Sequence, residues 1–268
     1  PYFHFGDRFE GNGPHTFYFG WEVMPNVNYD NPESRRWMIE AFSYWVREFG
    51  VDGFRIDAIW GVRQRTPEFG LQLRREIARI KPDVFMLAEA GARDSYYFEN
   101  GYDAAYDWKD ELGHWSWEDA FEDEEQIVER LTNVLTNEGR GYHPDARVFH
   151  FLNNNDTGEQ FITRHGVGRA RAAAAMLLSL PGVPCVYTGE EVGAEFHPYR
   201  TRTPISWEDE LGLRDYYRKL IHLRKDTAAL HSLDWELLEV DSEQEVLSYM
   251  RYGDADEAPV WVIVNFSD

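Results

Sequence analysis

Residues 51–60 read VDGFRIDAIW, a short apolar run that carries an arginine and an aspartate two positions apart, Arg55 and Asp57. Read as a strand, it alternates its side chains between two faces, so Arg55 and Asp57 point the same way. A guanidinium and a carboxylate on a buried face need a physical reason.

The flanking sequence supplies a frame for that strand. DNPESRRWMIEAFSYWVREFG (30–50) reads as a helix, with Pro32 near its first turn. Trp37, Met38, Ala41, Phe42, Trp45, Val46 and Phe49 recur at helical spacing and Gly50 stops it. TPEFGLQLRREIARI (66–80) reads as a second helix, with Thr66 as N-cap and Pro82 beyond its end. VFMLAE (84–89) is a second strand and YDAAYD (102–107) a weaker third. EEQIVERLTNVLTNEG (124–139), RVFHFL (147–152), GRARAAAAMLLSL (168–180), PCVYT (184–188) and LGLRDYYRKLIHLRKD (211–226) continue as helix, strand, helix, strand, helix. Such alternation predicts parallel βαβ units. Residues 1–30, rich in Gly, Asn, Pro and aromatics, read as a long leading loop. After about 229 the pattern changes. WELLEV (235–240), EVLSYMRY (245–252) and PVWVIVNF (259–266), separated by polar turns, predict an antiparallel meander. The expected organisation is an α/β portion, 1–228, and the start of a β domain, 229–268.

With 268 residues, 43% of them hydrophobic, the chain has enough apolar surface for a large core. Its net charge of −21 argues against nucleic acid as a partner, because phosphates would be repelled, and suits a neutral substrate. No run of about 18 apolar residues predicts a membrane span. The single cysteine, Cys185, excludes an internal disulfide and reads as an inert core thiol. Whether the protein is cytoplasmic or secreted does not follow from these residues.

Acids cluster at strand ends: Asp57 after the first strand, Glu89 in MLAEA, Asp156 after FHFLNNN. In parallel α/β folds the loops at the strands' C-terminal ends carry the active site, so three carboxylates are expected to meet in one cleft. Two chemistries use such a set: glycoside hydrolysis and metal-assisted hydrolysis. Arg55 favours the first, since a cation keeps a nucleophilic carboxylate ionised and competes with a metal. Apolar neighbours Leu87, Ala88 and Ala90 suit Glu89 to a raised pKa and a general-acid role. Taken singly, an acid at a strand end is more often an N-cap or a loop anchor; the joint pattern is stronger than any one of its parts.

GFRIDA (53–58), LAEA (87–90) and FLNNNDT (151–157) resemble three ordered signature regions of the α-amylase superfamily of glycoside hydrolases. MPNVNYDNP (24–32), GVPCVYTGEE (182–191) and RTPISW (202–207) resemble three further segments of it, in order. The resemblance implies a (β/α)8 TIM-type barrel, of which only strands four to eight are expected here. It implies a retaining mechanism on the α-glucosidic bonds of α-glucans or maltooligosaccharides. Asp57 would be the nucleophile, Glu89 the general acid and base, Asp156 the holder of sugar hydroxyls, and Arg55 the group orienting Asp57. Transglycosylation and a non-catalytic fragment are the alternatives.

Three departures stand out. Asn155 replaces the family's usual histidine, and asparagine cannot become cationic. Ile59 and Trp60 stand where many starch-degrading members carry a Lys-His pair, which argues against a typical endo-amylase. The family's first signature has no counterpart in residues 1–30. A fragment is therefore expected, completed by a missing N-terminal segment or by a second copy. No cofactor is required; Asn28 and Asp30 are candidates for a structural calcium. Trp60 is the best platform candidate among the aromatics and a substrate-binding candidate with Arg55 and Asn155, although it too reads first as a core or interface residue. Trp108, Trp115, Trp117 and Tyr187 read first as core or interface aromatics. His114 and His197 read as surface residues, and Arg200 and Arg202 as either substrate contacts or surface ion pairs.

Overall fold

The computed structural model describes residues 1–4, 17–18, 21–110, 113–122 and 125–267. Residues 5–16 and 19–20 of the expected leading loop, and Glu124 of the expected helix, lie outside the described residues. The chain divides into two compact units, Pro1–Ala90 with Tyr96–Asp103, and Gly91–Ser95 with Ala104–Asp268.

In the first unit the leading stretch is partly paired, contrary to the loop reading. β1 (Phe17–Tyr18) and β2 (Trp21–Pro25) run antiparallel, and Phe3 bridges Val27. Helix α1 (Pro32–Phe49) has the ends its sequence encodes. The Asn31 side chain accepts from the Glu33 N–H at 2.9 Å, Pro32 opens the first turn, and Gly50 closes it at φ 64°. Its apolar stripe is only half used. Val46 is buried, but Trp37, Trp45 and Phe49 are 61%, 51% and 61% exposed.

β3 (Gly53–Ile56) pairs in parallel with β4 (Phe85–Gly91), Gly53 opposite Phe85 and Ile56 opposite Ala88. A Cβ on Gly53 would lie 2.7 Å from the Phe85 carbonyl oxygen, so the close approach requires glycine. Two helices follow β3 where one was expected. α2 (Ile59–Arg65) ends at Thr66, and α3 (Phe69–Ala78) begins after Glu68. Thr66 therefore ends a helix rather than starting one. Leu73 and Ile77 of α3 are fully buried. Arg74 bonds the Gly101 carbonyl (2.6 Å) and pairs with Asp103, whose carboxylate also takes the Met86 N–H at 2.7 Å. That clamp ties α3 and the Asp103 turn to β4. A short α4 (Tyr96–Glu99) follows.

In the second unit β5 (Ala104–Tyr106), β6 (Arg147–Phe151) and β7 (Val183–Cys185) form a parallel ladder. α5 (Ile127–Leu135) is shorter than its sequence pattern. α6 (Phe161–Ser179) starts earlier than expected and is broken at Gly166 (φ 77°), just ahead of the expected start. α7 (Leu213–Asp226) precedes the antiparallel meander β8 (Trp235–Asp241), β9 (Val246–Arg251) and β10 (Val260–Asn265). The meander is tied to α6 by polar groups. Tyr249 Oη lies 2.6 Å from Ser179 Oγ, and the fully buried Arg251 donates to the carbonyls of Ser179, Leu230 and Ser232. Burial lowers the Arg251 pKa to about 10, which leaves it charged at neutral pH with carbonyl dipoles as its partners. Among the described residues no helix is long and apolar enough to cross a membrane.

Candidate active site

The reason for the charges in residues 51–60 lies just past β3. Arg55 reaches two carboxylates with one guanidinium, Nη1 to Asp57 and Nη2 to Glu89. The two acids differ in surroundings. The Asp57 side chain is 66% exposed, whereas Glu89 is buried in β4. Arg55 and Asp57 do share a face, but an open one rather than a buried one.

Immediately after Asp57 the chain turns through Ala58, held in the left-handed region at φ 43°, ψ 37°. That conformation is unfavourable for an L-residue. It aims the Ala58 N–H at Glu89 Oε2, 2.5 Å away, and starts α2, whose Ile59 and Trp60 are buried. Burial pushes the Glu89 carboxyl up to about 7. The Ala58 N–H and Arg55 pull it down, and the Asp57 carboxylate pushes it up again. One carboxyl is thus solvent-exposed beside a cation, and its neighbour is desolvated and protonated through the acid range. This is the division of labour that acid-assisted nucleophilic displacement requires.

In the second unit the segment after β6 holds Asp156, exposed, on a turn built by asparagines. Asn154 Oδ1 accepts the N–H groups of Asp156 (2.7 Å) and Thr157 (2.9 Å). Asn155 Nδ2 donates to Asp156 Oδ2 at 2.9 Å, and Tyr199 Oη donates to Oδ1 at 2.9 Å. Asn153 anchors the turn from below. Its Oδ1 takes the Phe161 N–H at 2.5 Å and its Nδ2 donates to Glu190. Glu190 is buried, also accepts from Tyr217 of α7 at 3.0 Å, and is pushed up to about 7 by burial. Tyr199, Glu190, Asn153 and Tyr217 were not singled out from sequence. Glu190 belongs to the quoted TGEE stretch, but its partners lie 37 and 27 residues away in the chain.

The structure thus brings Arg55, Asp57 and Glu89 together in one unit and Asn155 and Asp156 together in the other. Trp60 is buried at 9% exposure, which agrees with its core reading and leaves little ring face for the platform role it was the best candidate for. Trp108, Trp115 and Trp117 are core residues; Trp115 stacks near Phe151 and Trp117 lies against His150. His114 pairs with Asp110 at the surface (2.5 Å), and Arg200 and Arg202 are exposed. Cys185 is half-buried rather than in the core as expected, and burial raises its thiol to about 11. Asn28 bonds Pro1 and Asp30 through its side chain. Among the described residues no group of three or more His, Cys, Asp or Glu is placed to hold a metal.

Residues 9–237 match the model of the alpha-amylase catalytic domain. The chain belongs to that family. It is 26% identical over 251 residues to a cyclomaltodextrinase of a Bacillus species, covering 91% of this chain and 44% of that protein. It is 28% identical over 259 residues to a maltogenic alpha-amylase of Bacillus acidopullulyticus, covering 91% and 42%. Its fold matches that of a solved cyclomaltodextrinase with a TM-score of 0.79 at 24% identity, over 98% of this chain and 46% of that one. A solved alpha-amylase from H. orenii matches at 0.77 and 22% identity, over 99% and 64%. The chain spans less than half the length of the curated relatives named here. The fold class is therefore the expected one: part of a TIM-type (β/α)8 barrel, with five of its parallel strands described, followed by antiparallel β structure.

Proposed function

We propose that this chain is the acid-bearing part of a retaining glycoside hydrolase that acts on α-glucosidic bonds of α-glucans or maltooligosaccharides. The supporting observation is the single Arg55 guanidinium shared by an exposed Asp57 and a buried Glu89. In the first step the Asp57 carboxylate attacks the anomeric carbon while the Glu89 carboxylic acid gives its proton to the departing glycosidic oxygen. In the second step the Glu89 carboxylate takes a proton from water, whose oxygen attacks the same carbon and frees Asp57. Arg55 orients Asp57 through their ion pair, and the Asp156 carboxylate and the Asn155 side-chain carbonyl accept hydrogen bonds from sugar hydroxyls. The cyclomaltodextrinase and maltogenic amylase relatives support α-linked glucose oligomers as substrate. The catalytic portion runs to about residue 228, and 229–268 begin the β domain.

Asp57→Asn tests this reading. Turnover of p-nitrophenyl α-glucoside and of maltooligosaccharides should fall at least about a thousandfold, the scale on which loss of a covalent nucleophile is felt. The melting temperature should hold, because the side chain is exposed. Activity that survives the substitution would sink the assignment of Asp57. A folded wild-type chain that neither turns over nor binds these sugars would instead favour the non-catalytic fragment, the alternative the sequence leaves open.

A further inference from the structure

Asp156 is an exposed carboxylate, yet its orientation is determined at both oxygens. Tyr199 Oη is 2.9 Å from Oδ1, Asn155 Nδ2 is 2.9 Å from Oδ2, and the same Asn155 nitrogen is 3.1 Å from Tyr199 Oη. A hydroxyl has one proton and two lone pairs. Giving its proton to Asp156, Tyr199 can accept from the Asn155 amide, which closes a three-membered ring of hydrogen bonds. Both donors are neutral, and each carboxylate oxygen keeps a free lone pair for an incoming hydroxyl.

Tyr199 is itself held in place. Its N–H donates to His197 Nδ1 (3.2 Å), and the His197 N–H donates to Thr201 Oγ1 (2.9 Å). The residue nevertheless stays 59% exposed. Tyr187, stacked on Phe196 at 6.1 Å between ring centroids, lies near both Tyr199 and Asp156. The backbone beneath Asp156 is fixed by other residues, Asn153 and Asn154. Tyr199 therefore acts on the Asp156 side chain and not on the turn.

We propose that Tyr199 is a positioning residue for Asp156: its hydroxyl pins the carboxylate in the rotamer that receives a pair of sugar hydroxyls, and its ring borders that sugar. The proposal rests on the glycosidase reading above. Hydrogen bonds to the sugar hydroxyls strengthen in the transition state, so a freely rotating aspartate would meet its ordering cost there, whereas a pinned one has met that cost in the free protein.

The test is a double-mutant cycle on the full chain with maltooligosaccharides. Tyr199→Phe keeps the ring and removes the hydroxyl. It should lower kcat about tenfold or more, the usual scale for a hydrogen bond to a charged group, with a smaller change in KM and an unchanged melting temperature. Because Tyr199 acts through Asp156, Tyr199→Phe added to Asp156→Asn should cost little beyond Asp156→Asn alone. Additive losses, or wild-type kinetics for Tyr199→Phe with loss only in Tyr199→Ala, would overturn the positioning role. A readout without substrate separates this from failure of the glycosidase reading. The Asn155 side-chain amide resonance should move in Tyr199→Phe and stay put in Asp57→Asn. An unmoved Asn155 amide in Tyr199→Phe overturns the proposal whether or not the chain turns over sugar.

Discussion

Glu89 and Glu190 form a natural pair for comparison. Both are glutamates just beyond or near the end of a parallel strand, both are buried to nearly the same degree (6% and 8% exposed), and burial pushes both up to about 7. Their neighbours divide them. Glu89 touches the charged Arg55 and lies beside the open Asp57 carboxylate, so its proton has an exit. Glu190 is held by neutral donors, the Asn153 and Tyr217 side chains and the Tyr187 backbone, and the one charge acting on it is the Glu191 carboxylate, not a cation. A raised carboxyl pKa therefore marks burial. On the proposed reading, the charges within reach separate a general acid from a structural anchor.

Glu89→Gln should break the comparison most strongly. With maltooligosaccharides, whose leaving oxygen needs a proton, kcat/KM should fall about 10²- to 10⁴-fold, the range of general acid catalysis. With p-nitrophenyl α-glucoside, whose leaving group departs as an anion, bond cleavage should suffer far less. In the wild type, activity should decline as pH rises through about 7, where the Glu89 proton is lost, and in the variant that alkaline limb should vanish. Equal losses on both substrates would remove Glu89 from the acid role.

Much of this arrangement was legible in the sequence because it depends on neighbours close in the chain. The caps of α1 are local, and so are the GFRID strand and the apolar flanks that bury Glu89. Other features depend on distant partners. Glu190 in TGEE reads as a loop acid until Asn153 and Tyr217 are brought to it. Trp60 stays divided between core and sugar platform until the left-handed Ala58 is seen to start a helix in which it is buried. α1 carries apolar residues over more than one face, and periodicity alone could not tell that Val46 is buried while Trp37, Trp45 and Phe49 are exposed.

A smaller effect is expected at the other glutamate. A carboxyl whose folded pKa is raised favours folding when protonated. Its contribution is complete below the unfolded value of about 4.5 and is lost as pH rises through about 7. Both Glu89 and Glu190 act in this direction, so chemical denaturation should show stability falling from pH 5 to pH 8. Glu190→Gln removes one of the two titrations and should flatten that fall by on the order of 3 kcal/mol. The pH dependence of activity, set by Glu89, should stay where it was. A variant with an unchanged stability slope would show that Glu190 is ionised in the fold throughout, and its likeness to Glu89 would fail.

The smallest effect sharpens a second contrast between the two acid-bearing turns. Two residues after Asp156 the left-handed position is a glycine, Gly158 at φ 81°, whereas directly after Asp57 it is an alanine, Ala58 at φ 43°. An L-residue there costs about 1–2 kcal/mol, and glycine would return roughly 0.5–1 kcal/mol of that in unfolded-state entropy. Ala58→Gly should therefore change stability by less than about 1 kcal/mol, in the stabilising direction. The N–H that reaches Glu89 belongs to the backbone and survives the substitution, so the alkaline limb of activity should not shift. Should Ala58→Gly instead move that limb, the alanine's restricted backbone is what keeps the N–H on Glu89. The strain at Ala58 would then be part of how the acid is tuned, while Gly158 leaves the Asp156 turn free of it.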